Sequence, residues 1–146
     1  MTKYIFLDFD GVMHRNGHKA FEYAEYFAKV VAPMEDVKIV FSTSWREYKT
    51  VENLAAYLPK SIQSKCVGKT PLIRESTIYP RYKEIMMYTN EKGIADRDWV
   101  ALDDMACLFP ANHPNLILVD GSQGFTKKVA KILRQKLIYD PLKESQ

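Results

Sequence analysis

Cysteine is scarce in this sequence, charge of one sign never gathers into a block, and no apolar run is long enough to cross a bilayer. Each shortage removes a class of function. Cys66 and Cys107 stand far apart and form neither a disulfide framework nor a metal-binding spacing. They are expected to be free, buried thiols in a reducing cytoplasm. A membrane-spanning helix needs about 20 consecutive apolar residues. Tyr4-Ile5-Phe6-Leu7 is also too short for the apolar core of a secretory signal and runs straight into acids. The expectation is a cytoplasmic protein without membrane contact. The balance of 21 basic against 18 acidic residues, a net charge of +3, does not mark a nucleic-acid binder and gives only a weak hint of an anionic substrate. Repeats, low-complexity tracts and linkers are lacking too, so the 146 residues are expected to form one domain, 1–146.

What is present is an alternation of short apolar runs with amphipathic ones. Lys3 to Phe9 predicts a buried strand. Ala20 to Val31 has apolar residues at helical spacing, with Tyr23, Tyr26, Phe27 and Val30 as core positions and Pro33 closing the segment. Val37 to Phe41 predicts a second strand, and Trp45 to Leu58 a helix stopped by Pro59. Lys65-Cys66-Val67 is a candidate third strand. Pro80 opens a helix from about Arg81 to Glu91 with Gly93 near its end. Trp99 to Leu102 and Leu116 to Val119 are further strands, Thr126 is a helix cap for a segment reaching Ile138, and Lys143 to Gln146 is a frayed end. Such β-α alternation implies an α/β fold of three layers, a Rossmann-like parallel sheet with helices on both faces.

Parallel sheets hold ligands beyond the carboxyl ends of their strands. At those ends stand Asp8 and Asp10, then Ser42-Thr43-Ser44, then Asp103 and Asp104. In an extended Asp8-Phe9-Asp10 segment, Phe9 faces the core while both carboxylates face the rim, and Gly11 permits a sharp bend after them. Two carboxylates so close are unfavourable without a cation or a shared proton. Magnesium, which prefers oxygen ligands, suits them. Asp103-Asp104 alone reads as a solvated turn or helix cap; its conjunction with the first pair and the hydroxyl run, all at strand ends, overturns that reading in favour of a shared site. The hydroxyls at 42–44, with the N–H groups of a following helix start, suit phosphate oxygens, although helix capping needs no substrate. Arg81 or Lys83 would supply the positive charge that phosphoryl transfer requires.

At these residues the chain resembles the haloacid dehalogenase superfamily. The four motifs of that family appear in order as YIFLDFDGV, KIVFSTSW, RYKEI and WVALDD and span nearly the whole chain. The resemblance implies a phosphatase: Asp8 the nucleophile that forms an aspartyl-phosphate, Asp10 the general acid and base and a metal ligand through its carbonyl. Thr43 would bind the transferred phosphate, with Ser42 the next candidate. Arg81 would be the third-motif cation, with Lys83 its competitor. Ser42, Ser44, Lys83 and Gly11 complete the phosphate-binding set. Asp8, Asp10, Asp103 and Asp104 would hold Mg2+. The STSWR and LDD segments are similar to small domains of this type associated with RNA repair.

The segments Val12–Asp36 and Arg46–Pro80 are too short for a sizeable cap domain, and by family analogy an open site serves bulky substrates such as a nucleic-acid end or a phosphoprotein, without excluding small ones. Neither a membrane nor an obligate protein partner is indicated. His14, Arg15 and His18 stand where the family has a flap, and read as a solvated loop or as substrate contacts; Trp45 reads as a helix-start packing residue or a substrate contact, and Arg46 as a substrate contact. Competing classes are a phospho-acceptor receiver module, whose acidic residues occur in a different order, a binding protein with a decayed site, which the intact aspartates argue against, and a D-x-D glycosyltransferase, for which no comparable set of partner residues is present.

Overall fold

A computed structural model describes residues 1–138 of the chain. Its centre is a sheet of five parallel strands: β1 (Lys3–Leu7), β2 (Val37–Phe41), β3 (Cys66–Lys69), β4 (Trp99–Asp103) and β5 (Leu116–Leu118), in the order β3-β2-β1-β4-β5. The helices are α1 (Ala24–Val31), α2 (Val51–Ala55), α3 (Lys60–Gln63), α4 (Pro80–Lys92) and α5 (Lys127–Ile138). The expected α/β architecture is the observed one. None of these helices is long and apolar enough to cross a membrane. The expectation for Lys143 to Gln146 falls outside the described residues.

Strand alternation divides the core in two. Ile5, Leu7 and Phe9 point to the face covered by α1, α2, α3 and α5, where they meet Phe27, Val31, Leu54, Ile62 and Leu133. Phe6, Val40 and Ala101 point to the opposite face, where α4 contributes Ile85 and Tyr88. Helices on both faces explain why β1 is apolar throughout its buried half: Ile5, Phe6 and Leu7 are all fully buried, each worth about 1.5–3 kcal/mol of transfer free energy.

Three expectations need correction. The helix expected from Ala20 begins at Ala24, because the turn before it is set by long-range contacts: Tyr23 N donates to Met13 O at 2.8 Å, and Phe21 adopts a left-handed φ of 58°. The helix expected over 45–58 is broken into a 3-10 turn, Ser44–Glu47, and α2, which Thr50 caps by accepting from Asn53 N at 3.1 Å. A four-residue helix, α3, follows beyond Pro59. The cysteines are both free but not both buried. Cys66 is half-buried, which pushes its thiol up to about 12, whereas Cys107 is exposed on a turn whose neighbour Phe109 takes the inward position.

The break after Glu47 has a cause. Arg46 turns inward, is only 3% exposed, and ties three segments together. Its guanidinium donates to the carbonyls of Ser42 and Thr43 at 3.0 Å, to Thr70 O at 3.0 Å and to Pro71 O at 3.2 Å. It also pairs with Glu84 of α4 at 2.7 Å, and Glu84 accepts from Ile73 N at 2.9 Å. The reading of Arg46 as a substrate contact therefore fails, since its donors are already taken. Removing one partner of a buried pair leaves the other charge uncompensated, at about 3–5 kcal/mol. Arg46→Met is expected to lower the unfolding midpoint by about 2–4 °C per kcal/mol, and Glu84→Met added to it to recover part of the loss, as thermal unfolding followed by circular dichroism would measure.

Candidate active site

The sheet register decides which residues meet. Leu7 pairs with Phe41 on one side and with Leu102 on the other. The chain runs from β1 outward to β2 and β3, then returns to lay β4 on the other side of β1. The strand order therefore reverses beside β1, where crevices form in such sheets. Asp8, Ser42 and Asp103 leave the sheet side by side there. Backbone bonds extend the alignment: Asp8 N donates to Leu102 O at 3.2 Å and Ser42 N to Leu7 O at 3.1 Å.

Asp8, Asp103 and Asp104 converge so that one carboxylate oxygen from each lies within 4.8 Å of the others. Asp8 is 4% exposed and Asp103 is fully buried. Arg81, in the first turn of α4, sets its Nη1 2.8 Å from Asp103 Oδ2 and 3.4 Å from Asp8 Oδ2. The remaining oxygens take backbone donors, Phe9 N to Asp8 Oδ1 and Met105 N to Asp103 Oδ1, both at 2.9 Å. Burial and the neighbouring Asp103 raise Asp8 well above the usual carboxylate range, with Arg81 opposing. Asp103 is raised as well, by burial, against the pull of Arg81. Burial also works against the charge on Arg81, but Asp103 and Asp8 outweigh it and hold the guanidinium above its ordinary value.

Asp104 fits a slot made by two glycines. Gly11 has φ +78°, a left-handed turn that favours glycine, and a Cβ there would overlap the Asp104 carboxylate. Gly121 lies outside the left-handed region, yet a Cβ on it would meet Asn16 Nδ2 and Asp104 Oδ2. Asn16 Nδ2 donates to Asp104 Oδ2 at 3.4 Å. Sequence reading missed Asn16 and Gly121. An Asp-Gly pair after a strand signals a turn, and no local pattern signals the space that Gly121 leaves.

The other expected site residues are distributed as follows. Phe9 enters the core between Asp8 and Asp10, as alternation requires. The Asp10 side chain is 54% exposed and outside the three-carboxylate cluster; His14 Nε2 lies 2.9 Å from its Oδ1 and Trp45 Nε1 donates to its Oδ2 at 2.9 Å. Thr43 is buried, and its hydroxyl accepts from Trp45 N at 3.3 Å, capping the 3-10 turn. Ser42 is buried and Ser44 exposed. Lys83 does not reach the cluster but donates to Thr77 Oγ1. His14 is 7% exposed, so the solvated-loop reading of it is wrong, while Arg15 pairs with Glu22 at 2.9 Å.

Three carboxylates against one guanidinium leave two negative charges in excess when all are ionised. An all-oxygen donor set with that excess suits a hard divalent cation, so Asp8, Asp103 and Asp104 fit magnesium. A model of the HAD domain in Swiss Army Knife RNA repair proteins matches residues 4–130. The chain belongs to this family. No curated protein and no solved structure matches it. The matched span runs from β1 into α5 and includes every residue of the carboxylate cluster and Arg81.

Two consequences of this HAD domain's site are measurable. A raised folded pKa favours the protonated acid, so the stability that Asp8 and Asp103 contribute is fully present below their unfolded values near 4 and is lost as pH rises through the folded values. The metal-free domain is therefore expected to lose thermal stability as pH rises above about 4. At pH 7, Asp8→Asn is expected to raise its unfolding midpoint by about 2–4 °C per kcal/mol of repulsion relieved. Mg2+ is expected to stabilise the wild type more than this variant. Gly121→Ala is expected to fold, because the atoms it meets are the ends of flexible side chains, but to displace Asn16 and Asp104 and weaken Mg2+ binding in calorimetric titration.

Proposed function

We propose that this HAD domain is a magnesium-dependent phosphomonoester hydrolase that passes the phosphoryl group through Asp8. The observation that carries this reading is the position of Asp8: a buried carboxylate beside a guanidinium, inside a cluster of acids suited to a cation, at the crevice of a parallel sheet. Asp8, Asp103 and Asp104, with the Asp10 carbonyl, would hold Mg2+, which would offset the phosphate charge as it shifts during transfer. A carboxylate oxygen of Asp8 attacks phosphorus and the bond from phosphorus to the leaving oxygen breaks. Arg81 balances the equatorial charge, and the Thr43 hydroxyl with the N–H groups of the turn it caps receives the phosphate oxygens. Asp10 gives its proton to the leaving oxygen. It then takes a proton from a water whose oxygen attacks phosphorus, the bond to Asp8 breaks, and inorganic phosphate leaves.

Two features favour a bulky substrate, with a nucleic-acid end foremost. The matched family is described by its place in RNA repair proteins. The mouth also carries no lid among the described residues: α1 alone stands between β1 and β2, and α2, α3 and β3 between β2 and α4. Tyr48, Ile78 and Met105, on the loops that surround the crevice, are exposed. The free exposed thiol of Cys107 fits a reducing, cytoplasmic setting.

The expected result is multiple-turnover release of phosphate from p-nitrophenyl phosphate with Mg2+, abolished by a chelator and by Asp8→Asn. Equal rates in the wild type and Asp8→Asn would remove Asp8 from the chemistry, and a single phosphate retained per chain would make the domain a phospho-acceptor. A screen of 3′- and 5′-phosphorylated oligonucleotides, nucleotides, sugar phosphates and phosphopeptides would rank the substrates, with the oligonucleotides expected to lead.

A further inference from the structure

Asp10 stands on an exposed loop, where an aspartate normally turns freely, yet both of its oxygens accept a hydrogen bond. Trp45 Nε1 donates to Oδ2 at 2.9 Å, and His14 Nε2 lies 2.9 Å from Oδ1. The second ring nitrogen of His14 decides what the first one does. Phe21 N donates to His14 Nδ1 at 3.1 Å, so Nδ1 is an acceptor and the hydrogen of the neutral ring is on Nε2, facing Asp10.

Both donors are themselves held. Trp45 packs edge-on against Phe9, Phe21 and Tyr57, with ring centroids 5.5, 5.4 and 5.3 Å away. Phe21 stacks on Tyr57 at 4.9 Å and meets His14 edge-on at 5.4 Å. Phe21, whose N–H donates to His14, adopts a left-handed backbone, an uncommon conformation for a bulky residue. Five rings from the loops after β1 and β2 and from the end of α2 thus surround two N–H groups aimed at one carboxylate.

We infer that His14 and Trp45 are positioning residues for Asp10, and that the aromatic box exists to hold its carboxylate where a leaving oxygen departs. The inference rests on the reading of Asp10 as general acid and base. Proton transfer depends steeply on placement, and a misplacement of about 1 Å can cost 10²-fold. Two rigid donors restrict an otherwise free side chain without adding charge to the mouth. A purely structural role for the same residues, closing the box over Phe9, predicts a loss that is blind to the leaving group.

The test is kcat/KM with Mg2+ across phosphomonoesters whose leaving groups run from p-nitrophenol to simple alcohols, for Trp45→Phe, His14→Ala, His14→Gln and Asp10→Asn. Nitrophenolate departs without a proton, whereas an alkoxide needs one. Trp45→Phe keeps a ring in the box and removes only the N–H. It is expected to cost about 10-fold or more on alkyl phosphates, with little change on p-nitrophenyl phosphate and with the unfolding midpoint nearly unchanged. His14→Ala is expected to behave likewise, and His14→Gln, which restores an N–H, to recover part of the loss. An equal loss on all leaving groups, or none, with Asp10→Asn still showing the leaving-group dependence, would overturn the positioning role alone. If Asp10→Asn lacks that dependence, the acid–base reading fails and takes the inference with it.

Discussion

The excess of negative charge at the end of β1 is the constraint around which the described residues are arranged. Asp8, Asp103 and Asp104 share a space that one guanidinium cannot neutralise. Burial raises two of the three acids out of their usual range. Such crowding works against folding and persists only where the surroundings enforce it. Here the enforcement is the parallel register itself. The strands bracketing Leu7 are largely buried and pair with β1 on both sides, so Asp8 and Asp103 have no independent freedom to separate.

A second ionic centre makes the enforcement rigid. Arg46 and Glu84 join the loop after β2, the loop after β3 and α4 into one unit. Arg81 is three residues before Glu84 on the same helix, so the pair that secures α4 to the strand loops also secures the cation facing Asp8. A buried ion pair is weak evidence of net stability. Its worth here is orientation, because one guanidinium holds Glu84 of α4 and the carbonyls of the loops after β2 and β3.

Much of this was legible in the chain. Strands β1, β2, β4 and β5 are short apolar runs that end abruptly in polar residues, a pattern that sheets buried on both faces impose. Helix α4 was legible from Pro80 and Gly93, whose backbone preferences act locally. The convergence of the early and late aspartates followed from strand ends sharing one rim. What could not be read depends on contacts distant in sequence. The segment 45–58 has helical composition, but the inward turn of Arg46 interrupts it, and its acceptors at Thr70, Pro71 and Glu84 lie more than 20 residues away. His14 looked like a loop residue because one of its partners, the N–H of Phe21, belongs to a left-handed residue that no residue type announces. The competition between Arg81 and Lys83 for the acids is geometric too: the helix start turns the first toward Asp103 and the second toward Thr77.

The slot around Asp104 carries a lesson for recognising distant kin. Gly11 answers to a backbone turn as well as to crowding, and would be retained for either reason. Gly121 answers to crowding alone, since its φ lies outside the left-handed region. A chain that has lost both the acid at 104 and the amide at 16 no longer needs a bare α-carbon at 121, whereas one that keeps either does. The three positions 16, 104 and 121, each in a different loop, thus form a linked set, in which the residue tolerated at 121 is decided by the side chains at the other two.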